Sequence, residues 1–460
     1  MKTLINTVLL ILIIPILSCN TGDDKNKLKD EFKQDLKQKT FDYFWETVDK
    51  ESWQIPDRYP KRTFTSIAAT GFGLASYIVG IENNYITREE GAERVYNTLN
   101  WFWNSKQGPQ EEGVTGYKGF YYHFLTYGNG VRYKNVELST IDSGFLIAGM
   151  LACQSYFNGD NETEKKIRSL ADSLYLRVQW DWAMNDDEHM SMGWRPEKGF
   201  IKARWQGYNE AMILPIMALG SPTHPIPDTA WKSWCKTYQW DEFYGYEHVN
   251  FSPLFGHQYS HMFIDFRGIQ DEYMREKGID YFENSRRATL ANRAYCIDNP
   301  KEFIGYSENV WGLTACDGPA NTEQVYQGDT IRFFTYRARG ASSRRITDDG
   351  TITPTAAGGS IPFTPEKSFD ALYSMKEKFG DKLYKEYGFK DAFNLTYMNE
   401  DGERGWFDND YIGIDQALIM IQMENYESEL IWDVMKKNKY IVRGLKKAGF
   451  KGGWLESPDT

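Results

Sequence analysis

Runs of apolar residues alternate along this chain with amphipathic ones, and each apolar run opens on a polar or turn-forming entrance. Thr65-Ser66 leads into Ile67 to Val79, and Ser139-Thr140-Ile141-Asp142 into Phe145 to Leu151. Tyr208-Asn209-Glu210 leads into Ala211 to Leu219, where Pro215 is expected to kink the helix. His257 to Phe266 forms a fourth run. Thr364-Pro365-Glu366, a cap followed by proline at the first helical position, opens a fifth from Phe369 to Phe379. The sixth runs from Asp415 to Tyr426. Between them, segments near 28–50, 87–105, 162–182, 227–237, 280–298 and 427–447 keep one charged face.

Six apolar and six amphipathic helices predict an all-α chain of two concentric rings, an (α/α)6 toroid with rim loops and a small β-hairpin insertion. Parallel inner helices would bring their N-termini to one rim and gather Asp142, Glu210 and Asp415 there. Helix N-termini also offer free N–H groups to hydroxyls and anions. The hairpin is expected within 107–135, around Gly119 to His123 and Val131-Arg132-Tyr133. Segments 191–206 and 303–362 are rich in Gly, Trp, Arg and Thr; the second is long enough to serve as a lid or binding loop. No Pro/Ser linker and no fixed-period repeat divides the chain. Residues 41–456 therefore read as one domain, with 20–40 as tether and start of the first helix.

The first 19 residues stand outside this pattern. Lys2, the apolar run Leu4 to Leu17 and the lipobox Ile16-Leu17-Ser18-Cys19 read as a lipoprotein signal with lipidation at Cys19. The run is short for a membrane span. Asn20-Thr21-Gly22-Asp23-Asp24-Lys25 resembles the acidic export tag of surface lipoproteins of Bacteroidetes, which implies the outer membrane, facing outward, with the periplasmic face as the alternative. The expected membrane contact is the lipid at Cys19, and a monomer is expected. A net charge of −11 and no basic block argue against a nucleic-acid partner. Aromatic residues make up 16% of the chain, many beside Gly, Asp and Asn, where exposed rings can stack on sugars. Cys153, Cys235, Cys296 and Cys316 lack metal-type spacing; up to two disulfides are open to them, with Cys153 read as a buried thiol.

Candidate chemistry concentrates at the helix entrances. Glu210 stands before an apolar run, so partial burial would raise its pKa and suit it to act as a general acid. A first-turn glutamate also simply stabilises a helix dipole. Ser139 and Asp142 fit a capping box, from which Asp142 could still reach a ligand. Asp415 and Glu424 are nine residues apart, about 900° of helix, so they face opposite ways and only Asp415 suits a cavity. Asp408 and Asp410 lie in the aromatic loop before that helix as alternative bases or hydroxyl ligands. His257 and His261 have a zinc-type spacing, but Gln258 replaces the zincin glutamate and no third ligand is evident. They read instead as hydroxyl-binding groups with Tyr259. Neither metal nor cofactor is expected.

Four ordered motifs carry a resemblance. They are Gly207-Tyr208-Asn209-Glu210; His257-Gln258-Tyr259-Ser260-His261 with Asp265-Phe266-Arg267; Ser307-Glu308-Asn309-Val310-Trp311-Gly312-Leu313-Thr314-Ala315-Cys316-Asp317-Gly318-Pro319; and Gly413-Ile414-Asp415-Gln416 with Glu424-Asn425-Tyr426. From about Phe41 to Trp454 the chain resembles the glucoamylase-like family that contains the bacterial endo-β-1,2-glucanases, glycoside hydrolase family 144. The resemblance implies an (α/α)6 toroid and inverting hydrolysis of β-1,2-glucan, endo-acting or releasing sophorose. It implies Glu210 as acid, with Asp142 and Asp415 as acidic partners, and leaves the base open. Trp311 would stack on sugar, Glu308 and Asp317 would bind hydroxyls, and Trp205 would join the substrate-binding set. Cys316 in place of serine and Gln416-Ala417-Leu418 in place of Gln-Gly-Pro depart from the pattern. The alternatives are a non-catalytic SusD-like glycan-binding lipoprotein and a toroidal hydrolase or lyase for another polysaccharide. Arg204, Arg337 and Arg339 keep the lyase open.

Overall fold

In the computed structural model of the protein, residues 21–457 are described; the signal segment 1–19 and Cys19 lie outside them. Helices dominate: α1 (Thr21–Glu46), α2 (Ile67–Glu82), α3 (Arg88–Asn104), α4 (Thr140–Tyr156), α5 (Glu162–Leu176), α6 (Ile213–Gly220) and α7 (Ala230–Cys235). They continue as α8 (Glu272–Lys277), α9 (Tyr281–Asp298), α10 (Pro354–Gly358), α11 (Pro365–Leu383), α12 (Gly413–Ser428), α13 (Leu430–Lys436) and α14 (Lys439–Lys447). The entrances follow the polar signals. The Ser66 side chain accepts from the N–H of Ala69 at the start of α2, Asn161 caps α5 and Asp280 caps α9. Thr87 and Glu90 form a reciprocal capping box on α3.

The apolar runs are the buried helices. Every residue of α2 from Ile67 to Gly80 is buried, as are all of α6 and most of α4 and α12. Helix α2 packs on α4 on one side and α12 on the other; α4 touches α6, and α12 touches α10. Amphipathic α1, α3, α5, α11 and α14 lie against this buried set. The α2–α4 crossing is a backbone contact: a Cβ at Gly149 would lie 1.9 Å from the carbonyl oxygen of Gly71. Helix α14 reaches α6 in the same way, since a Cβ at Gly444 would lie 1.9 Å from the carbonyl oxygen of Ile216. Glycine is required at both crossings.

Several expectations need correction. The run from His257 to Phe266 is not a helix but two tight turns, Leu254–His257 and Tyr259–Met262. Gln258 between them departs from helical backbone (φ −121°), and its side-chain amide donates to Ala356 O and Ser360 Oγ near α10. The fifth buried position belongs to α10, whose five residues are all buried. Helix α11 buries only one stripe, including Phe369, Leu372 and Met375. Pro215 does not kink a helix: it sits in the first turn of α6, where its missing N–H costs nothing. The segment expected as one helix over 427–447 divides into α13 and α14, with Asn438 capping the second.

An all-α reading also falls short, because short strands are numerous. Strands 116–117, 120–122, 138–139, 193–195 and 199–200 form one five-stranded sheet, so the expected hairpin joins the 191–206 segment. Segment 303–362 contains the ribbons 315–317/336–338 and 322–326/329–333. Its strand 351–352 pairs with 393–398, which in turn pairs with 404–407. Most of these strands, at two to five residues, are too short to display alternation. Cys153, Cys235, Cys296 and Cys316 all carry free thiols. No helix among the described residues is long and apolar enough to cross a membrane.

Candidate active site

Three of the buried helices open on acids. Asp142 is the third residue of α4; its N–H donates to Ser139 Oγ (3.3 Å), and the Ser139 hydroxyl donates back to Asp142 Oδ2. Its other oxygen lies 3.6 Å from His123 Nε2. The opposite ring nitrogen of His123 is 3.0 Å from Glu137 Oε1. Burial alone would lower the His123 pKa, but Asp142, Glu137 and Asp57 outweigh it and lift it to about 9. The hydrogen bond from His123 in turn pulls Glu137 down to about 2. Asp142 therefore lies beside an imidazolium at neutral pH.

Glu210 is the first residue of a single tight turn, Glu210–Met212, that leads into α6. Asn209 caps the turn by accepting from Ala211 N–H (2.9 Å). Ser260 fastens it: its hydroxyl donates to Glu210 O (2.8 Å) and accepts from Ile213 N–H (3.0 Å). The residue is half-buried. Burial pushes its pKa up to about 7, its own N–H opposes this, and the nearby charge of Asp142 adds to it.

Asp415 is the third residue of α12 and almost wholly buried. Burial pushes it up to about 7, while a hydrogen bond with Asp391 works the other way. Asp391 is itself held well above the carboxylate range by burial and by the charge of Asp415. Two buried carboxyls in contact cannot both ionise, so the pair retains a proton. Asp391 is also a hub. Its Oδ2 accepts from Asp317 N–H (2.7 Å), and its own N–H donates to Asp410 O (3.1 Å).

Asp317, Asp408 and Asp410 present carboxylate oxygens within 4.8 Å of one another. Cations already reach this group: Arg58 Nη1 donates to Asp317 (2.7 Å) and Asp410 (3.3 Å), and Lys61 Nζ to Asp410 (3.1 Å). Burial still lifts Asp408 to about 6. The cluster could ligate a cation by its donor type, but Arg58 and Lys61 supply the positive charge it needs. Tyr259 stands between the acids. Its ring packs on Phe72, Phe145 and Phe255, and burial together with the charges of Asp415 and Glu210 holds its hydroxyl protonated.

Of the residues singled out by sequence, Glu210, Asp142, Asp415, Tyr259, Asp317, Asp408 and Asp410 thus come together. Trp205 lies behind the rim, buried, with its indole N–H on Thr140 Oγ1 (2.9 Å). Four others are placed elsewhere. His257 and His261 are enclosed, bonded to Phe251 O (3.1 Å) and Ser285 Oγ (3.0 Å), and burial lowers both to about 3. Both are buried away from the group of acids. Trp311 has no exposed surface and belongs to the core around α10 and α11. Glu308 is outside, its side chain 75% exposed and paired with Arg293. Glu424 sits at the far end of α12, held by Lys37 (2.8 Å) and Asn83 (2.9 Å), as the helical geometry requires. Arg339 is buried against Asp349, and Arg204 lies 3.5 Å from Asp187.

Sequence reasoning missed Asp391, His123, Asp57, Arg58 and Tyr336. A signal existed for Asp391: a lone acid next to Lys390 and flanked by aromatic residues in Gly388-Phe389-Lys390-Asp391-Ala392-Phe393. Tyr336 is directly opposite Asp317 on the 315–317/336–338 ribbon and is 63% exposed.

A mostly helical chain with carboxyls at the entrances of buried helices has the layout of a sugar-processing enzyme. Comparison with known proteins agrees. Residues 202–439 match the family model described as "Glycoamylase: Putative glucoamylase". A "putative glucoamylase" of Bacteroides uniformis is 34% identical, with a TM-score of 0.81 over 93% of this chain and 99% of that one. The endo-β-1,2-glucanase of Chitinophaga pinensis, solved with sophorotriose and glucose, is 29% identical, with a TM-score of 0.79 over 93% and 99%. The exo β-1,2-glucooligosaccharide sophorohydrolase (non-reducing end) of Parabacteroides distasonis is 29% identical over 91% of this chain, which spans 58% of that relative's length. The chain belongs to the glycoamylase family.

Proposed function

We propose that the protein is an inverting glycoside hydrolase that cleaves β-1,2-linked glucan. The observation that carries this reading is the placement of Glu210 at the entrance of the wholly buried α6, near Asp142, where burial pushes its pKa up to about 7. The Chitinophaga pinensis and Parabacteroides distasonis relatives, both named for β-1,2-glucan chemistry, support the substrate. Glu210 protonates the glycosidic oxygen, and a second carboxylate takes the proton of the attacking water on the opposite face of the sugar. The Asp415–Asp391 pair is suited to that second task, since a pair sharing one proton keeps a basic oxygen. Asp142, flanked by His123, and the Asp317–Asp408–Asp410 group with Arg58 hold hydroxyls around the cleaved bond. Endo action and sophorose release share this chemistry and differ only in the outer subsites.

The helix contacts support the finer architecture of an (α/α)6 toroid, with α2, α4, α6, the 254–262 turns, α10 and α12 inside. The lipobox supports attachment to the outer membrane through Cys19, tested by labelling with radioactive palmitate and by its loss in Cys19→Ala. Proton NMR of a digest of linear β-1,2-glucan tests the reaction itself. Product reducing ends that appear first as the α-anomer support inversion; β-anomers appearing first, or no cleavage, overturn the reading.

A further inference from the structure

Beside the group of acids lies a cavity of different chemistry. It measures about 500 Å³, and its lining includes Phe251, Phe255, Tyr336, Arg337, Arg344 and Arg345. Two contacts tie it to the cleft. Tyr336 pairs across the ribbon with Asp317, and the ring of Phe255 packs on that of Tyr259 at 5.8 Å. A chain lying in the cleft past Asp317 would enter this cavity.

Its charge is opposite to that of the cleft. The whole chain carries 64 acidic against 53 basic residues, yet every charged residue lining this cavity is an arginine. Arg344 is paired with Asp241. The Arg345 guanidinium donates to the Thr347 hydroxyl (3.2 Å), and the Arg337 guanidinium lies over the Phe334 ring at 5.0 Å. Neither Arg337 nor Arg345 has a carboxylate partner among the described residues. Arginine donates and never accepts, and its planar fork matches an oxyanion two oxygens at a time. A neutral sugar hydroxyl both donates and accepts, so an arginine-only charged lining fits a group that only accepts.

Resting on the reading of the cleft as a glucan-cleaving site, we propose that this cavity receives an anionic substituent, carboxylate or phosphate ester, carried by the glucan chain, with the aromatic rings supporting the sugar that bears it. The test compares β-1,2-gluco-oligosaccharides of equal length that are neutral, carboxymethylated or phosphorylated. The expected result is a kcat/KM about tenfold higher for the charged substrates, fading as salt is raised. In Arg337→Ala/Arg345→Ala that preference collapses towards one, whereas Arg337→Lys keeps part of it, since the charge remains and the fork is lost. Equal kcat/KM for neutral and charged substrates in the wild type overturns the proposal, as does an unchanged preference in the double variant. Calorimetric titration keeps the two claims apart. If no oligosaccharide is cleaved, the proposed function fails, and tighter binding of the charged oligosaccharide by wild type than by the double variant still decides the cavity. Inorganic phosphate alone is titrated in parallel; if it binds as tightly as the charged oligosaccharide, the sugar contributes nothing and the proposal fails.

Discussion

Glu210 and Asp415 are carboxyls that the fold holds protonated close to neutrality, and this has consequences for both activity and stability. A general acid must carry its proton, so kcat/KM on β-1,2-glucan is expected to fall as pH rises through about 7. Glu210→Gln should lower kcat by about 100-fold or more while oligosaccharide binding, read by calorimetry, persists. Wild-type turnover in that variant would remove Glu210 from the acid's role. Asp415 makes a stability prediction of opposite sign. Its folded pKa is raised to about 7 from an ordinary value of 3.8, so the native state binds more protons than the unfolded chain between those values. Stability drawn from this group is full below pH 4 and is lost as pH rises through 7. Asp415→Asn, which cannot ionise, should therefore be more stable than wild type at pH 8 by about 2–4 kcal/mol, with the gain vanishing at pH 4. Urea unfolding at the two pH values measures it; an equal effect at both would contradict the burial argument. The same variant should lose most of its activity, a trade of stability for function.

At the scale of elements, the acids are aligned by buried helices that touch backbone to backbone along their lengths. A methyl group at Gly149 would collide with the carbonyl oxygen of Gly71, and α4 would have to shift away from α2. Gly149→Ala should cost about 1–3 kcal/mol in urea unfolding and should disturb the position of Asp142. An unchanged midpoint would show that the two helices can part freely. Element boundaries were legible where a polar cap precedes a long apolar run, as at Ser66 and Ser139; α12, which starts at Gly413 with Ile412 before it, also falls within a few residues of expectation. They were illegible where the inner wall is built without a regular helix. Leu254 to Met262 is as apolar and aromatic as a buried helix, but Pro253, Gly256 and the side-chain bonds of Gln258 turn it into two tight turns. Periodicity could not separate these cases, because a wholly buried segment has no polar face to mark its pitch.

Across the whole molecule, the candidate site was legible in its acids and poorly legible in its partners. Asp142, Glu210 and Asp415 announce themselves by standing before apolar runs, and helical geometry alone set Glu424 apart. Asp391 and His123 belong to loops upstream of the helices that carry Asp415 and Asp142, with no apolar run behind them to mark them, and only the folded arrangement brings them to those acids. Trp311 and the two histidines misled for the opposite reason. Their side-chain chemistry suits contact with sugars, but the folded chain encloses all three. A carboxyl-rich cleft beside an arginine-lined cavity also gives the molecule two sites of opposite charge, so salt should affect charged and neutral substrates differently. The most direct measurement is incubation of the purified protein with linear β-1,2-glucan, β-1,3-glucan and starch, followed by chromatography of the products. The expected result is sophorose-series products from β-1,2-glucan alone, absent with Glu210→Gln. Release of sugars from starch or β-1,3-glucan in preference to β-1,2-glucan, or no release from any of them, would contradict it.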